Sequence, residues 1–159
     1  MAENQGKAAV TKKSPGFAKT VNYLLTIQDI DEMINEKQLQ LDELRALAGG
    51  FRGIRYDGDR VQSSPVDLLG NTIVKIVELT REIDSDIDRF VDWKRKIMRE
   101  VDSGVYNLRG RAILYKRYFR YMSVNSICRE MKISTKAYYR LHDDAIRNLR
   151  RKLEKRRKR

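Results

Sequence analysis

A long heptad pattern of apolar residues constrains the fold of this chain more than any other feature. From residue 66 to residue 101, apolar side chains recur at alternating intervals of three and four residues, with Thr80 and Lys94 as polar interruptions. Such a repeat is typical of a helix that packs lengthwise against another helix. The stripe consists of Val66, Leu69, Ile73, Ile76, Thr80, Ile83, Ile87, Phe90, Lys94, Ile97 and Val101.

A second stripe with the same spacing precedes it, in a segment without proline or glycine from Phe17 to Ala48. The pair Gly49-Gly50 is expected to end this helix. Two long helices joined by a loop most simply form an antiparallel hairpin, and apolar residues beside the stripes predict self-association. We therefore expect residues 18–103 to form a homo-oligomer. The second stripe is Tyr23, Ile27, Ile30, Ile34, Lys37, Leu41, Leu44 and Ala48, and the residues beside the two stripes are Leu24, Leu47, Val77, Leu79 and Trp93.

The segments around these helices are rich in small and polar residues. Residues 1–17 are weakly basic and are expected to form a flexible arm. In the loop, Asp57-Gly58 favours a two-residue turn, so that Ile54–Tyr56 would pair with Asp59–Val61. Ser63 or Ser64 is expected to cap the second helix, with Pro65 in its first turn.

The charge of the chain is distributed unevenly. The formal net charge is +12, but residues 18–103 carry 13 basic and 17 acidic side chains, whereas residues 104–159 carry 18 basic and 4 acidic ones. Such asymmetry is typical of a module that binds nucleic acid or an acidic partner, joined to a module with another task. The charge of the last third therefore predicts an anionic partner, and we expect this partner to be double-stranded DNA.

Several function classes are disfavoured by composition and motifs. One cysteine and one histidine exclude a disulfide framework, a multi-thiolate zinc site and a histidine-rich metal or triad site. The acidic run from Glu82 to Asp92 lacks the glycine and final glutamate of a calcium loop and suits a solvated helix face better. With no phosphate-binding glycine motif either, we expect no catalytic residue, metal or cofactor, and no enzyme. Without a long apolar run or secretory signal, we expect a cytoplasmic protein with no membrane partner.

The last third has the pattern of a helix-turn-helix. A helix is predicted from about Asn107 to Tyr121, with one face made by Ala112, Tyr115 and Phe119. Ser123 is expected to cap a second helix, and Lys132-Ile133 to form a tight turn before a third helix that Ser134 caps. The single buried stripe of the second helix is Val124, Ile127, Cys128 and Met131, and that of the third is Tyr138, Leu141, Ala145 and Leu149.

The third helix would enter the major groove with its first two turns. Thr135, Lys136, Tyr139 and Arg140 lie on its exposed side and are predicted to contact bases. Predicted phosphate contacts are Arg117, Arg120, Arg129, Ser134, Arg147, Arg150 and Arg151. The neighbouring aromatic residues and Cys128 are expected in the core, and His142 is assigned no chemistry.

Three segments of this region resemble region four of bacterial sigma factors. They are Arg111–Tyr118 (RAILYKRY), Ser126–Ser134 (SICREMKIS) and Tyr138–Arg150 (YYRLHDDAIRNLR). The chain departs from that pattern at Lys132, where glycine is usual, and at Tyr138, where valine or isoleucine is usual. The rest of the chain lacks an aromatic-rich promoter-melting region, so a whole sigma factor is not expected.

A helical hairpin and the loop motif Asp59–Ser64 (DRVQSS) ahead of such a domain resemble the RinA-like and ArpU-like late transcriptional activators of Gram-positive prophages. The resemblance implies an activator of phage late genes that binds DNA near the nucleoid of the bacterial host and engages RNA polymerase. We expect an all-α fold: a long antiparallel helical hairpin (18–103), then a sigma-region-four-like helix-turn-helix with a basic tail (104–159). Two alternatives stay open, namely a small terminase-like DNA-packaging subunit and a coiled-coil scaffold whose tail binds RNA or an acidic protein.

Overall fold

The computed structural model describes residues 15–51 and 65–157, and all regular structure in these two ranges is helical. The predicted all-α class, with a long helical hairpin, is confirmed. In chain order the elements are α1 (Pro15–Phe51), α2 (Pro65–Gly104), α3 (Leu108–Leu114), a π-helical turn (Tyr115–Phe119), α4 (Val124–Met131) and α5 (Thr135–Arg157).

The bounds of α1 differ from the prediction at both ends. The helix begins at Pro15, inside the expected flexible arm, because proline suits the first helical position and Phe17 is buried. At the other end the helix runs through Gly49-Gly50 to Phe51, so the predicted stop at this pair is wrong. Glycine lowers helix stability by about 1 kcal/mol per residue, which weakens a helix without ending it. The predicted β-turn pairing and the Ser63 or Ser64 cap lie outside the described residues.

The described chain divides into two compact units, and the division differs from the predicted boundary at residue 103. The helix-turn-helix unit contains residues 15–29 and 92–157, and the hairpin unit contains residues 30–51 and 65–91. The ends of α1 and α2 belong with the last third because Leu24, Ile27 and Ile97 are completely buried in that unit.

Within the hairpin unit, the described residues of the two predicted stripes are buried or partly buried, with the exception of Ile73. Ile34, Leu41 and Ile83 are buried. Lys37, the polar interruption of the stripe in α1, donates to Asp86 at 2.6 Å and to Glu82 at 3.2 Å. These hydrogen bonds, the one to Asp86 above all, raise the pKa of Lys37. The polar position in the stripe is thus a link between the two helices.

The helix-turn-helix unit contains the other ends of the same two helices. Tyr23 of α1 donates to a carboxylate oxygen of Glu100 at 2.5 Å, and Trp93 donates through Nε1 to Thr26 at 3.2 Å. Residue numbers rise along α1 as they fall along α2, which makes the pairing antiparallel. Glu100 also forms an ion pair with Arg156 of α5. Burial, and then the bond to Glu100, raises the pKa of Tyr23, so this phenol stays a donor.

Candidate nucleic-acid interface

The helix-turn-helix rests on a core to which each of its three helices contributes one fully enclosed side chain. Ile113 of α3, Ile127 of α4 and Tyr138 of α5 form this cluster. The predicted stripes of α4 and α5 are confirmed, because their residues are all buried or partly buried. Burial raises the pKa of Tyr138 to about 12, so its ring is a neutral core residue. The partly buried apolar residues packed against the cluster are Met122, Val124, Cys128, Met131, Ile133 and Leu141.

The buried face of α3 and the π-helical turn is wider than the predicted one. Of the predicted residues, Phe119 is buried and Ala112 and Tyr115 are partly buried, and the rings of Tyr115 and Phe119 lie with their centroids 5.0 Å apart. Ile113 and Leu114 are buried as well, with no exposed surface. Residues 115–119 form a π-helical turn, so the side chains after Tyr115 do not follow a regular period of 3.6 residues.

A close approach between α3 and α5 occurs at Gly110. A Cβ atom added to Gly110 would lie 3.2 Å from Cβ of Ala145 and 3.4 Å from the carbonyl oxygen of Leu141. Glycine is therefore needed for this helix pair to pack at its present distance.

The turn between α4 and α5 is formed as the sequence predicts. Ser123 caps α4 by accepting from the backbone N–H of Ser126 at 3.2 Å. Lys132 ends the helix in the left-handed region, with φ 51° and ψ 50°, and the N–H of Ile133 then donates to the carbonyl of Cys128 at 3.0 Å. A left-handed residue at this position is typical of a helix C-terminus, where glycine is preferred.

The first two turns of α5 expose the residues that were predicted to contact bases. Thr135, Lys136, Tyr139 and Arg140 are all exposed, and Tyr139 leans edge-on against the buried Tyr138 ring at 5.2 Å. Lys136 and Arg140 lie one helical turn apart, so they project from the same face.

Ser134 has its predicted role as a helix cap, because its Oγ accepts from the N–H of Ala137 at 3.2 Å. A phosphate bound to Ser134 would have to share this hydroxyl group with the helix. The structure therefore gives Ser134 a structural role first.

The predicted phosphate-contacting arginines fall into two groups. Arg120, Arg129 and Arg151 are exposed, and their guanidinium groups are accessible to a large anion. The others have protein partners: Arg117 is half-buried and donates to the carbonyl of Met122 at 3.1 Å, and Arg147 and Arg150 form ion pairs with acidic residues of α5. The first group is better placed to contact phosphates, since it needs no exchange of partners.

Two further basic residues near the turn are not among the predicted DNA contacts. Lys132 is exposed between Arg129 and Lys136, so its ammonium group adds to the positive charge around the turn. Lys116 forms an ion pair with Glu130 at 2.5 Å, which links the π-helical turn to α4 and lowers the pKa of Glu130. The sequence feature that could have predicted a DNA contact at Lys132 is its position in the turn, next to the helix that is predicted to enter the major groove.

His142 was assigned no role, but it joins three elements of the unit. Its Nε2 atom is hydrogen-bonded to the Tyr118 hydroxyl at 2.9 Å, and its ring stacks on Tyr138 with centroids 5.7 Å apart. Phe17 of α1 meets the same ring edge-on at 6.4 Å. We call these four residues the aromatic cluster. No short motif marks it, because Phe17 and Tyr118 lie far in sequence from Tyr138 and His142.

The described ranges 15–51 and 65–157 contain no group of three or more histidine, cysteine, aspartate or glutamate side chains arranged to hold a metal ion. The acidic run in α2 is helical, and two of its members, Glu82 and Asp86, pair with Lys37. Among the same residues, no helix is both long enough and apolar enough to cross a membrane.

Comparison with known families gives one match. A family model described as "Protein of unknown function (DUF1492)" matches residues 55–150, which is more than half of the chain. The chain belongs to the DUF1492 family. The matched range contains α2, α3, α4 and α5 as far as Arg150, so all of the candidate contact residues except Arg151 lie within the part that defines the DUF1492 family. No curated protein matches the chain. No solved structure matches it either.

Proposed function

We propose that this chain is a sequence-specific regulator of transcription that inserts the first two turns of α5 into the major groove of duplex DNA. One observation carries the proposal: Lys136 and Arg140 are exposed one turn apart, directly after the turn of a three-helix core. Lysine and arginine donate to the acceptors on the major-groove edge of guanine, and a helix start fixed by Ser134 holds them in register.

The charges around α5 favour a polyanion. Residues 104–159 carry 18 basic side chains. The exposed Arg129 and Lys132 precede the predicted base-contacting residues of α5, and the exposed Arg151 follows them on the same helix. In a complex these cations would bind the phosphates on either side of the groove, which supplies affinity without sequence preference.

The biological role in our proposal is activation of phage late genes, with RNA polymerase as a protein partner and the host nucleoid as the location. It follows from the resemblance to sigma region four and to prophage late activators. We further propose that the hairpin holds two or more copies together, since paired helix-turn-helix domains bind two half-sites with much higher affinity than one.

The proposal is tested by selecting bound sequences from a pool of random duplexes and then titrating variants on the selected site. Lys136→Ala and Arg140→Ala should each cost about 1–3 kcal/mol on the selected duplex and relax the preference at one base position. Arg151→Ala is the matched control, because an exposed arginine farther along the same helix should weaken selected and scrambled duplexes equally. If Lys136→Ala and Arg140→Ala both keep the full preference, α5 is not the reading helix.

A second candidate function is DNA packaging as a small terminase-like subunit. The exposed apolar residues of the hairpin unit favour it, because ring-shaped packaging subunits need extensive contacts between copies. Rings of eight or more copies would support packaging, whereas dimers with promoter-restricted DNA protection would support regulation. A preference for RNA over duplex DNA would support the scaffold alternative instead.

A further inference from the structure

An apolar stripe on the outer side of α2 remains uncovered in the hairpin unit. Ile73, Val74 and Val77 are 49%, 54% and 43% exposed, although residues of this kind are usually buried. Together with Gly70 they follow the spacing i, i+3, i+4, i+7, which places all four on one helix face. A Cβ atom added to Gly70 would meet nothing within 4 Å, so another helix has space to approach closely there. We call these four residues the α2 stripe.

At the α2 stripe, the buried residue of α2 differs from the one that the heptad pattern predicts. The heptad pattern assigns Ile73 to the seam with α1, but Thr72 is the buried residue, at 5% exposure, and its hydroxyl donates to the carbonyl of Leu68 at 2.8 Å. An isoleucine facing outward beside a threonine facing inward is unfavourable in an isolated hairpin. It becomes favourable if the outer face is covered as well.

The described part of the hairpin unit has few deeply buried apolar side chains. Among its described residues, the buried apolar side chains are Ile34, Leu41 and Ile83. Six other large apolar side chains of this unit are about half exposed, which is more than such residues usually are in a folded domain. The six residues are Leu39, Leu47, Leu68, Ile73, Val74 and Val77.

The charge near the α2 stripe permits contact with an identical surface. Between Leu68 and Thr80 the charged residues of α2 are Lys75 and Glu78, which balance each other. Residues 81–92 carry five acidic and two basic side chains, so that part of the helix would repel its own copy. A surface needed for stability must also be covered whenever the chain folds, and a second copy is a partner that is always present.

We propose that the α2 stripe is the contact surface between two copies of this chain, whose hairpin units pack side by side as a bundle of four helices. The proposal deepens the self-association part of the proposed function by naming its surface. It does not depend on DNA binding, because the contact lies in the hairpin unit and is measured without nucleic acid.

The test measures the mass of the full-length chain in solution by light scattering over a dilution series. The wild type should give twice the monomer mass of 18.7 kDa. Val74→Arg should raise the dissociation constant by about 100-fold or more, because it places a charge at the centre of the apolar contact. Ser85→Arg adds the same charge on an exposed position of the same helix, in the acidic segment beyond the α2 stripe, and it should leave the mass unchanged.

Cysteine cross-linking provides a second readout that does not require a destabilising charge. In a Cys128→Ala background, Val74→Cys should form a covalent dimer under mild oxidation, and Ser85→Cys should not. A monomeric wild type would overturn the proposal. An assembly that Val74→Arg leaves intact, or that Val74→Arg and Ser85→Arg dissociate equally, would overturn it as well. A wild-type chain that forms the dimer but does not bind duplex DNA would contradict the proposed function and leave this proposal standing.

Discussion

Removal of the His142 side chain should destabilise the helix-turn-helix unit strongly, although His142 has no part in DNA contact. The imidazole ring is the partner of the buried Tyr118 hydroxyl and stacks on Tyr138. In His142→Ala the hydroxyl loses this partner, at a cost of about 1–3 kcal/mol. The lost ring contacts and the cavity add about 2 kcal/mol, for a total of about 4 kcal/mol.

A conservative variant separates these two contributions. His142→Phe keeps a ring between Tyr138 and Phe17 but cannot bond to the Tyr118 hydroxyl, so it should lose about 2 kcal/mol, about half of the loss in His142→Ala. Arg151→Ala is the control on the same helix, because an exposed side chain should change stability by no more than about 0.5 kcal/mol.

Urea denaturation followed by circular dichroism measures all three variants. In thermal scans, the loss of about 4 kcal/mol in His142→Ala corresponds to a drop in Tm of about 10 °C for a chain of this length. If His142→Ala is no less stable than Arg151→Ala, the aromatic cluster does not join the elements as we argue. If His142→Phe loses as much as His142→Ala, the hydroxyl bond alone accounts for the effect.

Three further predictions concern the packing and the turn. Lys132→Gly should leave the free energy of unfolding unchanged or raise it by up to about 1 kcal/mol, because φ is 51° at this position and glycine adopts such a φ without strain. A lower free energy of unfolding for Lys132→Gly in urea denaturation would contradict the left-handed turn. Gly110→Leu should destabilise the chain by about 1–3 kcal/mol through its clash with Ala145, and equal stability to the wild type would disprove the close approach of α3 and α5. Because the ion pair with Lys116 lowers the pKa of Glu130, its stabilisation is present above the usual value of 4.5 and is lost as the pH falls through the lower pKa in the folded chain. The stability difference between the wild type and Glu130→Gln should therefore shrink in acid, and a constant difference would count against the pair.

The sequence predicts the helices and most of their buried faces, because both follow from the spacing of apolar residues. Ile34, Leu41 and Ile83 are buried where the heptads place them, and Ser123 and Ser134 cap their helices as expected. Capping and stripe burial are local effects that depend on a few neighbouring residues. The exposure of Lys136 and Arg140 follows from the same periodicity.

The structure differs from the sequence-based predictions where contacts between residues far apart in the chain determine the packing. Thr72 replaces Ile73 at the seam because helix rotation depends on all of the contacts of α2, and the π-helical turn at residues 115–119 changes a face that regular periodicity cannot represent. The aromatic cluster around His142 and the ion pair of Glu100 with Arg156 join residues far apart in sequence. The ion pair with Glu100 shows that Arg156 is part of the folded unit.

The salt dependence of binding to duplex DNA tests the central claim most directly. Each cation that contacts a phosphate releases a counterion, so affinity falls with salt in proportion to the number of contacts. If about six basic side chains around α5 bind phosphates, the slope of log affinity against log salt concentration should be roughly −5. A slope near zero for the full-length chain would contradict the account, because the basic surface around Lys136 and Arg140 would then have no role in binding DNA.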